Sequence, residues 1–225
     1  MKGQHDWILH LLDGRKCKHA EDVIWCAKDI RMFSEKFISE PRSDYQLFRL
    51  LKRLIQNVKD EIEASENAAN RKQIRIEDKE EDFRGFLYKK LSDQSQGWFS
   101  ITQETEVDLA QRPDLRVERV GLNPLPIEIK LASMSAWTLP KLVERLDNQL
   151  VGQYLRPAQI RYGIYVLGNT SPKRNWEVPS TPEKLNFVEL VTRIQDRAKT
   201  IQGELREGVD GIEVIGIDFS DPRKK

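Results

Sequence analysis

The sequence predicts an α/β fold in which helices come first and a sheet-containing unit follows. Three observations carry that prediction. Apolar residues recur at helical spacing up to residue 63. From residue 98 onward, short runs of β-branched and aromatic residues are bounded by Gly, Pro and Asn. Between and after those runs, two longer segments return to helical spacing, giving the order helix, three strands, helix, strand, then a further helix and strand.

Taken in order, residues 19–38 place Val23, Ala27, Ile30, Phe33 and Phe37 on one helical face. The stretch EPRSD (40–44) breaks that pattern, and Ser43 or Asp44 can cap the next helix. That helix, DYQLFRLLKRLIQNVKDEIE, carries a stripe of Leu47, Leu50, Leu51, Leu54 and Val58. Residues 64–76 are polar and aperiodic. The chain therefore divides into a helical N-terminal region (1–65), a linker (66–76) and a second unit (77–225). In that unit EEDFRGFLYKKL (80–91) puts Phe83, Phe86, Leu87 and Leu91 on one helical face. Strands are expected at 98–107, 115–120 and 127–131, the last two joined by the turn GLNPLP. TLPKLVERLDNQLVGQYL (138–155) reads as a helix capped by Thr138, with Pro140 tolerated in the first turn. YGIYVLGN is a buried strand, 182–202 a helix, and GIEVIGIDFS the last strand.

Charged residues are 32% of the chain and mean hydropathy is -0.61, which fits a soluble globular protein. No apolar run has the length of a membrane span and no signal-type segment opens the chain, so the expected location is the cytoplasm, with no membrane partner. Cys17 and Cys26 then read as reduced core residues, and with His5, His10 and His19 they match no zinc-ligand spacing. The net charge of +1 is unevenly spread. Residues 130–174 hold seven bases (Lys130, Lys141, Arg145, Arg156, Arg161, Lys173, Arg174) against Glu144 and Asp147, so a polyanion would prefer the second half of the chain. No Walker A pattern is present.

The chemistry is concentrated in RPDLRVERVGLNPLPIEIK (112–130). Asp114, Glu128 and Lys130 are residue types a strand interior least tolerates. Period-two geometry puts Glu128 and Lys130 on one face, and Asp114 reaches the same place if its strand pairs alongside. Two carboxylates with the Ile129 carbonyl form a hard-oxygen set of the kind Mg²⁺ accepts, and a neighbouring lysine can orient water or offset phosphate charge. The plainer alternative is a charged, solvent-facing hairpin.

Pro113–Asp114, thirteen intervening residues and Glu128–Ile129–Lys130 resemble the PD-(D/E)XK nuclease superfamily, whose core order is αβββαβ. The blocks EEDFRGFLYKKLS, QETEVDLAQRPDLRV, PIEIKLA, NQLVGQYLR and YGIYVLGN are similar to a restriction-endonuclease-like domain of bacterial defence-type proteins, over roughly residues 77–219. The resemblance implies a restriction-endonuclease-like αβββαβ core with a mixed central sheet. It implies Asp114, Glu128 and the Ile129 carbonyl as metal ligands, Lys130 as the catalytic lysine, and Mg²⁺ as cofactor with Mn²⁺ able to substitute. Products would carry 5′-phosphate and 3′-hydroxyl ends. Such enzymes often add a glutamate from the first helix. Glu80 shares a face with Phe83 and Leu87, whereas Glu81 turns away, so Glu80 is the choice; the plainer alternative is that it only complements the helix N-terminus.

Related nucleases carry a Gln-x-x-x-Tyr signature on the helix after this strand. Here Gln149 and Tyr154 are five apart, which departs from it, and Gln153 lies one turn from Gln149. Gln149, Gln153, Tyr154, Lys141 and Arg145 are the candidate substrate contacts, with Arg156 and Arg161 as further phosphate contacts. Glu104 and Glu106 share a strand face and are minor candidates for supporting the metal. The function implied is a Mg²⁺-dependent nuclease, DNA favoured as substrate. The alternatives are an RNA nuclease and a catalytically silent nucleic-acid-binding or scaffold domain of the same fold. The N-terminal helices are the expected surface for a homodimer or a sensor or assembly partner.

Overall fold

The computed structural model describes residues 40–64, 74, 79–103, 113–171, 175–204 and 208–220. The helix expected at 19–38, both cysteines, the three histidines, Glu104, Glu106, Lys173, Arg174 and all of the 66–76 linker except Ile74 lie outside those residues. Compact units divide between Ser39 and Glu40. The second expected helix therefore belongs with the sheet, whereas the sequence groups it with the N-terminal region.

The described chain is a mixed α/β unit. Its elements are α1 (Asp44–Glu63), α2 (Glu80–Asp93), β1 (Ser100–Gln103), β2 (Leu115–Glu118), β3 (Leu125–Leu131), α3 (Leu139–Glu144) running directly into a π-helix (Arg145–Tyr154), β4 (Tyr162–Asn169), β5 (Trp176–Glu177), β6 (Lys184–Leu185), α4 (Phe187–Glu204) and β7 (Gly211–Asp218). Five strands form one sheet in the order β1-β2-β3-β4-β7, and β5 and β6 pair as a separate hairpin. β2 runs antiparallel to both β1 and β3, while β3, β4 and β7 run parallel, so the sheet is mixed. No helix among the described residues is long and apolar enough to cross a membrane.

Sequence chemistry explains the helix ends. The Ser43 hydroxyl caps α1 by accepting from Gln46 N, and Asp44, in the first turn, accepts from both nitrogens of Asn123 in the β2–β3 turn. That turn needs Gly121, whose φ of +82 disfavours any side chain. At α2, Lys79 N donates to Asp82 across the first turn, where Glu80 and Glu81 also complement the dipole. α4 begins at Phe187, not at 182, because the backbone N–H of each of Asn186 and Glu189 donates to the other's side chain as a capping box and Lys184–Leu185 are taken by the hairpin.

Helices cover both faces. Phe48 of α1 and Phe83 of α2 lie against Gly211 and Gly168 on one face. On the other, α3, the π-helix and α4 bury Leu142, Leu146, Leu150, Leu190 and Ile194 over Tyr165 and Leu167. This is a three-layer arrangement. The outer edge of β7 is blunted by side chains: Lys59 donates to Gly216 O, Gln195 to Val214 O and Gln202 to Ile212 O, while Glu63 accepts from Asp218 N.

Gly168 fixes the helix that matters most for the site. A Cβ there would lie 2.7 Å from the Phe83 ring. The missing side chain lets Phe83, fully buried and edge-on to Phe219, settle on β4, and so sets the first turn of α2 beside the end of β3.

Candidate metal and phosphate site

The site lies where β2 parts from β3. Pairing runs from Val117↔Leu125 to Leu115↔Ile127 and then stops. One more step of that register sets Asp114 opposite Glu128. β3 continues alone past the split, still bonded to β4 on its other side as far as Leu131↔Gly168. Its exposed N–H groups are met by carboxylates instead of by a strand. Ile129 N donates to Asp114 Oδ2 at 2.7 Å and Leu131 N to Glu80 Oε2 at 3.3 Å.

Lys130 fills the gap. Its Nζ lies 2.8 Å from Glu128 Oε1, 2.8 Å from Ile129 O, 2.9 Å from Glu80 Oε1 and 3.2 Å from Asp114 Oδ2. Four oxygens from three elements thus converge on one cation. The group is sequestered: Glu128 is 0% exposed, Lys130 5% and Asp114 7%. Glu128 and Lys130 come from the sheet face under α3 and the π-helix, whereas Glu80 comes from α2 on the other face. The split between β2 and β3 lets them meet.

Burial raises the Glu128 carboxyl most, and the facing Asp114 charge adds to it, against the pull of Lys130; the result is a rise from 4.5 to about 8. Lys130 is raised as well, which for an ammonium favours the charged form. Desolvation opposes its charge, but Glu128, Asp114 and Glu80 together hold it well above its ordinary value. The pair thus favours a charged lysine beside a glutamate that ionises reluctantly. Glu128 Oε1 contacts Nζ as an ion pair without an aligned hydrogen bond, and Oε2 is buried with no hydrogen-bond partner.

Two further residues belong to this cluster, and the sequence reading passed over both. Trp137 Nε1 donates to Glu80 Oε2 at 3.0 Å, and its ring lies 5.6 Å from Lys130 Nζ and 5.7 Å from the Arg145 guanidinium. Arg84, one helical turn after Glu80, sets NH1 3.5 Å from Asp114 Oδ1. The available signals were the four-residue step from Glu80 to Arg84 and an aromatic just before the Thr138 cap.

The helix after β3 corrects one expectation. In an α-helix, residues five apart are separated by about 140° and do not face each other. The π-helical Arg145–Tyr154 closes i→i+5 instead, and Gln149 Nε2 donates to the Tyr154 hydroxyl at 2.6 Å. Arg145 NH1 donates to Gln149 Oε1 at 3.0 Å, so Arg145, Gln149 and Tyr154 form one chain reaching from Trp137. The five-residue spacing is thus absorbed by the backbone. Burial, and then the Glu128 charge, raise the Tyr154 hydroxyl well above its usual range, so it stays neutral.

Lys141 and Gln153 are exposed on this helix and take no part in those bonds among the described residues. Arg156 is exposed beyond the helix end. Arg161 pairs with Asp210 at 2.7 Å at the start of β4. It lies about 20 Å along the strand from Leu167, the register partner of Lys130, too far to touch a phosphate at the split.

The donors around Nζ are hard oxygens of the class Mg²⁺ and Mn²⁺ accept. The unpartnered Glu128 Oε2 is an atom such an ion would satisfy. Among the described residues no three of His, Cys, Asp or Glu are grouped as a ready-made metal set. The ammonium lies among the carboxylates. The residues therefore fit a divalent ion by donor type. Comparison with protein-family models, curated proteins and solved structures finds no match.

Proposed function

We propose that this chain is a Mg²⁺-dependent nuclease of the PD-(D/E)XK type, with Mn²⁺ able to replace Mg²⁺ and DNA as the favoured substrate. The observation that carries the reading is the convergence of Glu80, Asp114, Glu128 and the Ile129 carbonyl on one cation where β2 leaves β3. The order α2-β1-β2-β3-α3-β4 supports a restriction-endonuclease-like core, being that superfamily's αβββαβ order.

Asp114 and Glu128 would hold the ion through their carboxylates and Ile129 through its carbonyl. When bound, the ion lowers the pKa of water and takes up charge developing on the phosphoryl oxygens. Lys130 then donates to the attacking water or to a phosphate oxygen, and Glu80 fixes the direction of that ammonium. Trp137 holds Glu80 through its indole N–H. Arg145 and Gln149 extend the polar surface along which a phosphate backbone would lie.

Plasmid nicking tests this. Cleavage should require Mg²⁺ or Mn²⁺, stop with EDTA and fall on the order of 10²-fold or more in Lys130→Ala. Cleavage undiminished by that change would refute the assignment. A catalytically silent domain of the same fold is the second reading, favoured by the complete burial of Glu128, and it predicts binding without cleavage under every metal.

A further inference from the structure

We infer that Lys130 gates the metal site: its ammonium and a divalent cation use the same oxygens in turn. This rests on the metal-dependent nuclease reading and adds to it a role for the lysine before any chemistry begins.

Of the four oxygens within 3.2 Å of Nζ, three belong to the groups that reading assigns to the ion: Asp114 Oδ2, Glu128 Oε1 and Ile129 O. A Mg²⁺ ion binds its oxygens at about 2.0–2.1 Å and tolerates little distortion. An ion holding those three would lie inside the contact shell of the ammonium. Two positive charges that close, in a site this far from water, repel strongly. Both cannot be held at once.

The surroundings give the ammonium a place to go. Glu80 Oε1, the fourth oxygen, is outside the metal set, and the Trp137 ring is already 5.6 Å away. Lys130 can therefore release Asp114, Glu128 and Ile129 while keeping Glu80 and the indole face. That movement delivers the ammonium to the rim of the site, where it can meet water or phosphate. It also leaves the Asp114, Glu128 and Ile129 oxygens, which now meet at Nζ, free to close on an ion in its place. Glu128 supplies the independent sign that a single ammonium under-fills the site, since its Oε2 is buried without a hydrogen-bond partner.

The test measures metal affinity, not activity, on the full chain. Tb³⁺ is titrated by tryptophan-sensitised luminescence, and Mn²⁺ by calorimetry, for wild type and Lys130→Met, which keeps an unbranched stem without the charge. Lys130→Met should bind both ions at least tenfold more tightly. Asp114→Asn in the Lys130→Met background should abolish the gain for both ions. Should Lys130→Met not fold, Lys130→Gln carries the same expectation. Equal or weaker binding by the neutral variants overturns the gate and leaves the nuclease reading standing. No binding of either ion to any form overturns both.

Discussion

Replacing Glu128 by glutamine should stabilise the protein, by an amount that grows as pH rises. The carboxyl is fully buried and faces Asp114, and its folded pKa lies at about 8 against 4.5 for an unperturbed glutamate. Below 4.5 it is protonated whether the chain is folded or not, so variant and wild type differ little there. Between 4.5 and about 8 the unfolded chain releases a proton that the folded chain retains, and wild type loses stability as pH rises. Above about 8 the difference is constant. Lys130, raised above 10.5, stays charged in both states across this range and adds no slope. A shift from 4.5 to about 8, at about 1.4 kcal/mol per unit, sets a ceiling of about 5 kcal/mol. Relaxation and water entry around a buried charge reduce this to about 2–4 kcal/mol. At about 2–4 °C per kcal/mol, Tm of Glu128→Gln should gain on wild type by about 10 °C between pH 5 and pH 9. Thermal unfolding by circular dichroism in chelator, at unit pH steps, measures it. A difference that stays constant over that range, or one in which wild type gains, would refute the reasoning.

Three other perturbations probe how the site is held. Gly168→Ala places a methyl 2.7 Å from the Phe83 ring and should cost about 1–3 kcal/mol in urea unfolding, with weaker anchoring of Glu80. Trp137→Phe keeps an aromatic face beside Lys130 but loses the donor to Glu80 Oε2. It should cost about 1 kcal/mol of stability and lower kcat with KM little changed, a split that steady-state kinetics reads directly. Deleting Gly152 shortens the π-helical segment by one residue and leaves Gln149 four residues from the tyrosine. The shortened protein should keep its fold and lose no more than about 2 kcal/mol, whereas complete unfolding would mean the π-helix is required for packing.

The parts of this fold that sequence reveals are those with a period. The stripe Leu47, Leu51, Leu54, Val58 announces α1, and it is buried throughout. Glu128 and Lys130 stand out because β3 is apolar on both sides of them and every one of its residues is buried. Their meeting with Asp114 follows from strand register. What stays hidden depends on tertiary contacts. The π-helix cannot be read from spacing, because its residues fit an α-helix equally well until Gln149 finds Tyr154. β5 and β6 are two residues each, too short for alternation to register. Trp137 and Arg84 join the site because Phe83 seats α2 on Gly168, a contact no local pattern encodes. The association of α1 with the sheet is invisible for the same reason: an apolar stripe says that a face is covered, not what covers it.

The measurement that bears most directly on the central claim is single-turnover cleavage of plasmid DNA by wild type and Asp114→Asn, with DNA binding followed in parallel. Wild type should nick in Mg²⁺ and not in EDTA. Asp114→Asn should bind DNA with similar affinity and cleave at least about 10²-fold more slowly. Equal cleavage by both proteins, or none by folded wild type with Mg²⁺ or Mn²⁺ on DNA and RNA alike, would contradict the account.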